Sequence, residues 1–171
     1  LIQNFDINQK ILSVIYNPID FKLISKLSNE PIRDMDFFNK NEKIIIGIGS
    51  LSKQKDFPTL IKAFNEVNKV YQCKLLIIGE GSEREKLETL IINLGLQEKV
   101  FLPGFKKNPF KYLKQSDIFV LSSKYEGLPN SLIQALLLNV PCISTNCKSG
   151  PQEILNYGEF GQLVEVGNYY Q

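Results

Sequence analysis

Residues 43–50 read KIIIGIGS, and this stretch decides the fold. Its continuous run of β-branched residues is typical of a strand that is buried on both faces, and glycines end it. Apolar residues at helical spacing follow in residues 57–71, and a second buried run, CKLLIIGEG, occupies residues 73–81. Strands that alternate with helices in this way predict a parallel sheet with helices on both faces.

The alternation continues to the end of the chain, which predicts a single doubly wound, Rossmann-like α/β domain. The segment 82–95 begins with a serine and acidic residues and ends at a glycine, as helices often do. The other predicted elements are a short strand at 99–105, a helix at 109–116, a strand at 117–123, a helix at 130–138, a strand at 140–145, a helical turn at 150–155 and a last strand at 158–166.

The residues before the first predicted strand have a different character. Residues 1–40 read as a polar, irregular lead-in, with a short strand at 11–16 and a turn at 17–20. We therefore expect the Rossmann-like domain to occupy residues 41–171. The ending is abrupt for such a fold, so the sequence reads as an excised domain that is truncated at its C-terminal end.

The composition excludes several classes of function. The net charge is only +2 and the lysines are scattered, so nucleic-acid binding is not expected. There is no apolar run of the ~18–20 residues that a membrane span needs. The chain contains no histidine, which argues against a structural zinc site and against a histidine base within the chain, and no metal is predicted. Three cysteines without a zinc-binding spacing indicate a reducing compartment.

The glycine-rich turn after the first strand is a candidate phosphate-binding site. Gly47 and Gly49 could let the backbone approach a phosphate, but Ser52 stands where a nicotinamide-type fingerprint has its third glycine. Glu80 could imitate the ribose-binding acid of that motif, although it comes later than usual. A dinucleotide-dependent oxidoreductase therefore stays an alternative, as does a purely structural role for the glycines.

Two further charged features are weaker candidates. Lys55 lies close to the start of the next helix and could neutralise a phosphate. By pattern alone, a solvated lysine is the favoured interpretation. The carboxylates of DMD at 34–36 resemble a metal-binding pair, but they precede any confident strand and are interpreted as a solvated turn.

The loop after the strand at 117–123 is the most informative candidate, because open α/β sheets bind ligands at the carboxyl ends of their strands. Gly127 would allow a tight turn and close approach to a ligand, and Pro129 would stiffen the loop. Asn130 or Ser131 can cap the next helix, whose first N–H groups form an anion site. Glu126 could accept sugar hydroxyls, or it could be an incidental glutamate in a surface loop.

Several short motifs occur in a fixed order between residues 14 and 166. Together they resemble the C-terminal half of the group 1 retaining glycosyltransferases of the GT-B fold. The motifs are NPID at 17–20, GSLSKQK at 49–55, GEG at 79–81, PGF at 103–105, EGLPNSLIQ at 126–134 and STNCKSGPQEIL at 144–155.

The resemblance implies a nucleotide-sugar donor, bound in a cleft that faces an N-terminal Rossmann-like domain of the same polypeptide. It implies that Glu126 holds the hydroxyls of the donor sugar and that Gly81 and Phe105 flank the base. Gln134 would contact the ribose, and Gly49 and Ser50 would also belong to the donor-binding site. The diphosphate would be held by Lys55 and by the backbone of Gly127, Leu128, Pro129, Asn130 and Ser131.

This sequence departs from the family pattern at two positions. Ser50 replaces an arginine, and the loss of a charged contact would cost ~1.5–3 kcal/mol of donor binding. Gln134 replaces the second glutamate of the E-x7-E element, and a neutral contact is weaker by about 1 kcal/mol. A degenerate domain that binds nucleotide sugars without catalysis is therefore an alternative to an active enzyme.

The resemblance implies sugar transfer to a glycan or lipid-linked acceptor with retention, in bacterial surface polysaccharide or glycan synthesis. Catalysis would rest on positioning and on electrostatic stabilisation of the departing diphosphate. No cofactor is expected, and the fragment alone is expected to be inactive. The expected location is the cytoplasm, with possible peripheral association with the inner membrane face through parts outside this sequence.

Overall fold

The computed structural model describes residues 15–34, 38 and 42–170, and its centre is a six-stranded sheet. All pairs of neighbouring strands are parallel, as the alternation of strands and helices predicts. In chain order the strands are β1 (Lys43–Ile48), β2 (Cys73–Ile78), β3 (Val100–Phe101), β4 (Ile118–Leu121), β5 (Cys142–Thr145) and β6 (Gln162–Val164).

The strand order is β3-β2-β1-β4-β5-β6, which confirms the doubly wound, Rossmann-like fold. β1 pairs with β2 along its whole length and with β4 on its other side. The order of the strands therefore reverses beside β1, and the chain leaves β1 and β4 toward opposite sides of the sheet. Such a reversal opens a crevice at the carboxyl ends of the two strands.

Helices cover both faces of the sheet. The five predicted helices all form, and their observed bounds are shorter by a few residues. They are α2 (Phe57–Asn68), α3 (Arg84–Asn93), α4 (Phe110–Lys114), α5 (Asn130–Leu137) and α6 (Pro151–Ile154). The structure adds α1 (Phe21–Ser28) before them and a 3-10 helix at Asn156–Gly158 after them.

The apolar core has two halves, one on each face of the sheet. Leu75 and Ile77 of β2 pack in a cluster with α2 and α3, whereas Leu76 and Ile78 pack with α4 and α5 on the opposite face. Because successive side chains of a strand point to opposite faces, a strand between two helical layers needs an apolar residue at every position. This requirement explains the continuous apolar runs in the sequence.

The two strands at the edges of the sheet are shorter than predicted. The strand expected at 99–105 is limited to Val100–Phe101, since only these residues pair with β2. The strand expected at 158–166 is limited to Gln162–Val164, and the residues before it form a turn. Among the described residues, no helix is long and apolar enough to cross a membrane.

The prediction of an irregular lead-in is wrong, because residues 21–28 form α1. The side chain of Asp20 caps this helix by accepting a hydrogen bond from the backbone N–H of Leu23 at 2.9 Å. Asn108, just before α4, donates a side-chain hydrogen bond to the carbonyl of Leu27.

The strand predicted at 11–16 is described only in part. Ile15 and Tyr16 are in no regular element, and the other residues of the predicted strand lie outside the described residues. The domain boundary at residue 41 stays a prediction.

Asp34 contacts the domain through its side chain, and the residue is exposed, which agrees with the interpretation of this position as part of a solvated turn. The hydroxyl of the buried Tyr112 donates to Asp34 Oδ1 at 2.6 Å, and Lys106 Nζ lies 2.8 Å from Oδ2. These two donors hold the pKa of Asp34 well below its usual range. Met35 and Asp36 lie outside the described residues.

We predict that Asp34→Asn lowers the melting temperature at pH 7 and makes unfolding less sensitive to acid. A carboxyl group with a lowered folded-state pKa stabilises the protein above its unfolded value of about 4, and this contribution is lost as the pH falls. Thermal unfolding between about pH 7 and 2.5 checks the prediction. The exposed Glu98 provides a control, Glu98→Gln. If the melting temperature of Asp34→Asn falls with acid as much as that of the wild type does, the prediction is wrong.

Candidate functional site at the switch point of the sheet

Two loops meet at the carboxyl ends of β1 and β4, where the strand order reverses. Three hydrogen bonds and an ion pair join them. The backbone N–H of Lys124 donates to the carbonyl of Gln54 at 2.8 Å, and Gln54 Nε2 donates to the carbonyl of Tyr125 at 3.0 Å. Ser122 Oγ donates to the carbonyl of Lys55 at 2.7 Å. The two loops therefore form one surface over the crevice.

Lys55 and Glu126, one from each loop, form a nearly buried ion pair. Lys55 Nζ lies 2.6 Å from Glu126 Oε1, and the two side chains are only 15% and 7% exposed. The interpretation of Lys55 as a solvated lysine is therefore wrong, and Glu126 is not an incidental surface residue. The stem of Lys55 crosses Gly49 so closely that a Cβ there would lie 2.9 Å from Lys55 Cε.

Ser123 also binds Glu126, and the sequence analysis missed it. Its hydroxyl donates to Glu126 Oε1 at 2.6 Å, and the residue is fully buried. Thr145 Oγ1, at the end of β5, donates to the carbonyl of Ser123 at 2.6 Å. The sequence signal for Ser123 was a hydroxyl three residues before the carboxylate, at the end of a buried strand.

The start of α5 differs from the prediction. Pro129 occupies the N-cap position and no side chain caps the helix, so the predicted caps at Asn130 and Ser131 are wrong. Asn130 is the first helical residue, and its Oδ1 accepts a hydrogen bond from Asn17 Nδ2 at 3.1 Å. The lead-in thus contacts the helix that begins at the candidate site.

The backbone of this loop keeps four free donors. Within the described part of the chain, the N–H groups of Gly127, Leu128, Asn130 and Ser131 donate no hydrogen bond. Pro129 has no N–H, so the prediction that its backbone amide helps to hold the diphosphate is wrong. Unpaired N–H groups at a helix start, beside a lysine, favour an anionic ligand.

Gly127 is not required for a tight turn. Its φ is not positive, and a Cβ built on it would meet no atom within 4 Å. The space above it is open to a ligand that approaches the backbone. Gly150, at the start of α6, is different, since a Cβ there would lie 2.2 Å from the carbonyl oxygen of Gly127.

A pocket of about 420 Å³ lies beside the ion pair, over the ends of β1 and β2. Phe105 lines it and is 75% exposed. Gly81 does not line it, because this glycine packs on the loop after β1, where a Cβ would lie 2.4 Å from the carbonyl oxygen of Leu51. The lining residues are Ile48, Gly49, Ser50, Ile78, Gly79, Glu80, Phe105, Lys106 and Pro109.

Glu80, the candidate ribose-binding acid of a dinucleotide site, is engaged by Arg84. Arg84 Nε donates to Oε2 at 2.9 Å and Arg84 Nη2 donates to Oε1 at 2.7 Å. This two-point contact lowers the pKa of Glu80. Arg84 therefore neutralises Glu80, while the Glu80 side chain is 51% exposed and each of its oxygens keeps a second lone pair.

Ser50 and Gln134, the two positions that depart from the family pattern, lie on different elements. Ser50 is exposed at the rim of the pocket, and its Oγ lies 3.2 Å from Ser52 Oγ. Gln134 is half-buried in the second turn of α5.

The cysteines do not add a reactive group or a metal ligand to this site. Cys73, Cys142 and Cys147 are free and buried, and burial raises the pKa of the Cys142 thiol to about 12. In the described ranges, no group of three or more histidine, cysteine, aspartate or glutamate side chains could hold a metal ion.

Comparison with known proteins gives consistent matches. The model of the family described as "Glycosyl transferases group 1" matches residues 28–171. An uncharacterized glycosyltransferase of Methanocaldococcus jannaschii is 46% identical, with 89% of this chain and 41% of that protein covered. The N-acetylgalactosamine-N,N'-diacetylbacillosaminyl-diphospho-undecaprenol 4-alpha-N-acetylgalactosaminyltransferase of Campylobacter jejuni is 39% identical, with 98% and 44% covered. The chain therefore spans less than half the length of these two relatives.

A solved structure of similar fold contains a nucleotide. A mutant of TarM from S. aureus, in complex with Fondaparinux, alpha-GlcNAc-glycerol and UDP, matches with a TM-score of 0.71 and 32% identity. The match covers 75% of this chain and 26% of that chain.

We predict that Gly150→Ala is much more destabilising than Gly158→Ala, although both glycines have positive φ, +73° and +103°. Gly158→Ala carries only the backbone cost of ~1–2 kcal/mol, since a Cβ there meets no atom within 4 Å. Gly150→Ala adds a clash with Gly127 and Pro129, worth a further ~1–3 kcal/mol. Urea unfolding of the full-length variants measures the difference, and equal losses would show that the loop is not packed on Gly150.

Proposed function

Because the chain belongs to the group 1 glycosyltransferase family, we propose that it is the donor-binding domain of an enzyme that transfers a sugar from a nucleotide diphosphate sugar. The observation that carries the proposal is the Lys55–Glu126 pair at the switch point of the sheet. A buried ion pair adds little net stability, because desolvation of both charges offsets their attraction. Its position at the ligand-binding edge therefore favours a role in binding.

Lys55 and the start of α5 would hold the diphosphate. An ammonium group has three donors, and Glu126 takes one of them at 2.6 Å. The other two can reach phosphate oxygens, together with the free N–H groups of Gly127, Leu128, Asn130 and Ser131. Positive charge fixed at this position would stabilise the negative charge that develops on the departing diphosphate.

Glu126 would orient the donor sugar. A carboxylate accepts hydrogen bonds at both oxygens, and only Oε1 is occupied within the described part of the chain. Oε2 is left for the hydroxyls of the sugar. This arrangement would place the anomeric carbon by positioning, without a covalent contribution from this domain.

The pocket lined by Phe105 would take the nucleobase, since an exposed aromatic ring offers a stacking surface. Gln134 would contact the ribose from α5 as a neutral partner. The UDP in the TarM complex supports a nucleoside diphosphate as the ligand class. Gly81 would act indirectly, by packing the loop after β1.

The complete protein would pair this domain with an N-terminal Rossmann-like domain and would transfer to a glycan or lipid-linked acceptor with retention. The name of the C. jejuni relative, which contains a diphospho-undecaprenol, supports a lipid-linked acceptor. Such an acceptor would place the enzyme in the cytoplasm at the inner face of the membrane. Neither a cofactor nor a metal is part of the proposal, and this domain alone would be inactive.

A degenerate, non-catalytic donor-binding domain is the second candidate, and Ser50 and Gln134 motivate it. Ser50 lies on the rim of the pocket without the positive charge that the family pattern places there. Under this alternative, the substitutions Ser50→Arg and Gln134→Glu together would be needed before transfer is observed.

We predict that the full-length protein binds one nucleoside diphosphate and that Lys55→Ala weakens this binding about tenfold or more. Calorimetric titration with UDP, GDP, ADP and NAD measures the effect and names the base. Lys53→Ala, an exposed lysine in the same loop, is the matched control and should leave binding unchanged. Binding of NAD alone would favour the oxidoreductase instead.

We further predict that Glu126→Ala weakens binding of the nucleotide sugar and does not weaken binding of the nucleoside diphosphate. The sugar is the only part of the donor that the carboxylate would contact, and Lys55, which loses its 2.6 Å contact with Glu126, stays available to the phosphates. Transfer to the acceptor should fall at least tenfold, as expected for a lost charge-assisted contact. Unchanged transfer by Glu126→Ala would refute the proposed role.

A further inference from the structure

We propose that Ser123 is a positioning residue that fixes the Glu126 carboxylate so that one oxygen is kept for the donor. The inference rests on the proposed function and assigns a role to a side chain that would not itself touch the ligand. It is carried by the hydrogen bonds of Glu126 and by the burial of Ser123.

Both protein partners of Glu126 use the same oxygen atom. Lys55 Nζ and Ser123 Oγ each lie 2.6 Å from Oε1. Oε2 receives no hydrogen bond from any residue in the described ranges. The carboxylate is thus divided into an oxygen that is held and an oxygen that is available. The terminal torsion of a glutamate is otherwise broad, so this division needs fixed donors.

Ser123 is itself held by the sheet. It is 0% exposed, and its carbonyl accepts the 2.6 Å hydrogen bond from Thr145 Oγ1. Thr145 is the last residue of β5, which pairs with β4 up to Leu121, two residues before Ser123. The hydroxyl that reaches Glu126 is therefore placed by two strands and not by the exposed part of the loop.

The two donors differ in what a bound diphosphate would do to them. Lys55 would be attracted to phosphate oxygens, and its contact with Oε1 would weaken. Ser123 is neutral and buried, so a phosphate does not compete for its hydroxyl. The serine would keep Glu126 in place at the moment when Lys55 changes partner.

The first test compares Ser123→Ala with the wild type in the full-length protein. Loss of a hydrogen bond to a charged group should lower kcat/KM for the nucleotide sugar by about tenfold or more. The Kd of the nucleoside diphosphate should stay within about twofold, because the phosphate contacts are intact. Ser116→Ala is the matched control. Ser116 is also a buried serine, but its hydroxyl donates to the backbone carbonyl of Tyr112 and not to Glu126.

A second pair of variants covers the case in which Ser123→Ala does not fold. Thr145→Val removes the hydroxyl at nearly constant volume, and Thr145→Ser keeps it. Thr145→Val should lower kcat/KM by several-fold and Thr145→Ser should restore it. Equal kcat/KM in these two variants, or a parallel loss of diphosphate affinity in Ser123→Ala, would overturn the positioning role.

The third test needs no substrate and separates this inference from the proposed function. A double-mutant cycle of Ser123→Ala and Glu126→Ala is measured by urea unfolding. Non-additive losses of stability support the contact, and additive losses overturn it. If the cycle is non-additive but no nucleotide sugar binds to the wild type, the proposed function fails while the contact stands.

Discussion

The position of β1 between β2 and β4 is the constraint on which the rest of the structure depends. It brings together two loops that are 71 residues apart at their Lys55–Glu126 contact. Close packing at the ends of the strands reinforces this arrangement, because a Cβ on Gly79 would lie 1.8 Å from the carbonyl oxygen of Gly49. The pocket, the ion pair and the free N–H groups of α5 are all consequences of that meeting point.

The fold could be predicted from the sequence because the strands between two helical layers must be apolar at every position. Residues 44–48 of β1 and 75–78 of β2 satisfy this requirement. α1 could not be predicted in the same way. Its cap at Asp20 is a local signal, but the helix is only eight residues long and is held by contacts with the segment around α4, which a local pattern does not contain.

The candidate site was predicted in its parts and not in its connections. Lys55 and Glu126 were each recognised, but their pairing depends on which strands are neighbours. Ser123 was missed because its role depends on a carboxylate that turns back toward the strand end. The expected caps at Asn130 and Ser131 were wrong for a local reason, since Pro129 already occupies the cap position.

The buried pairing of Lys55 with Glu126 also bears on how this domain can change in evolution. Replacement of either residue alone leaves the other charge largely out of water without an opposite charge beside it, which is more costly than replacing both. A lineage that drifts away from this site must pass through that unfavourable intermediate or change both positions nearly together. The ion pair thus acts as a barrier to gradual loss, and the two loops are expected to be inherited as one unit.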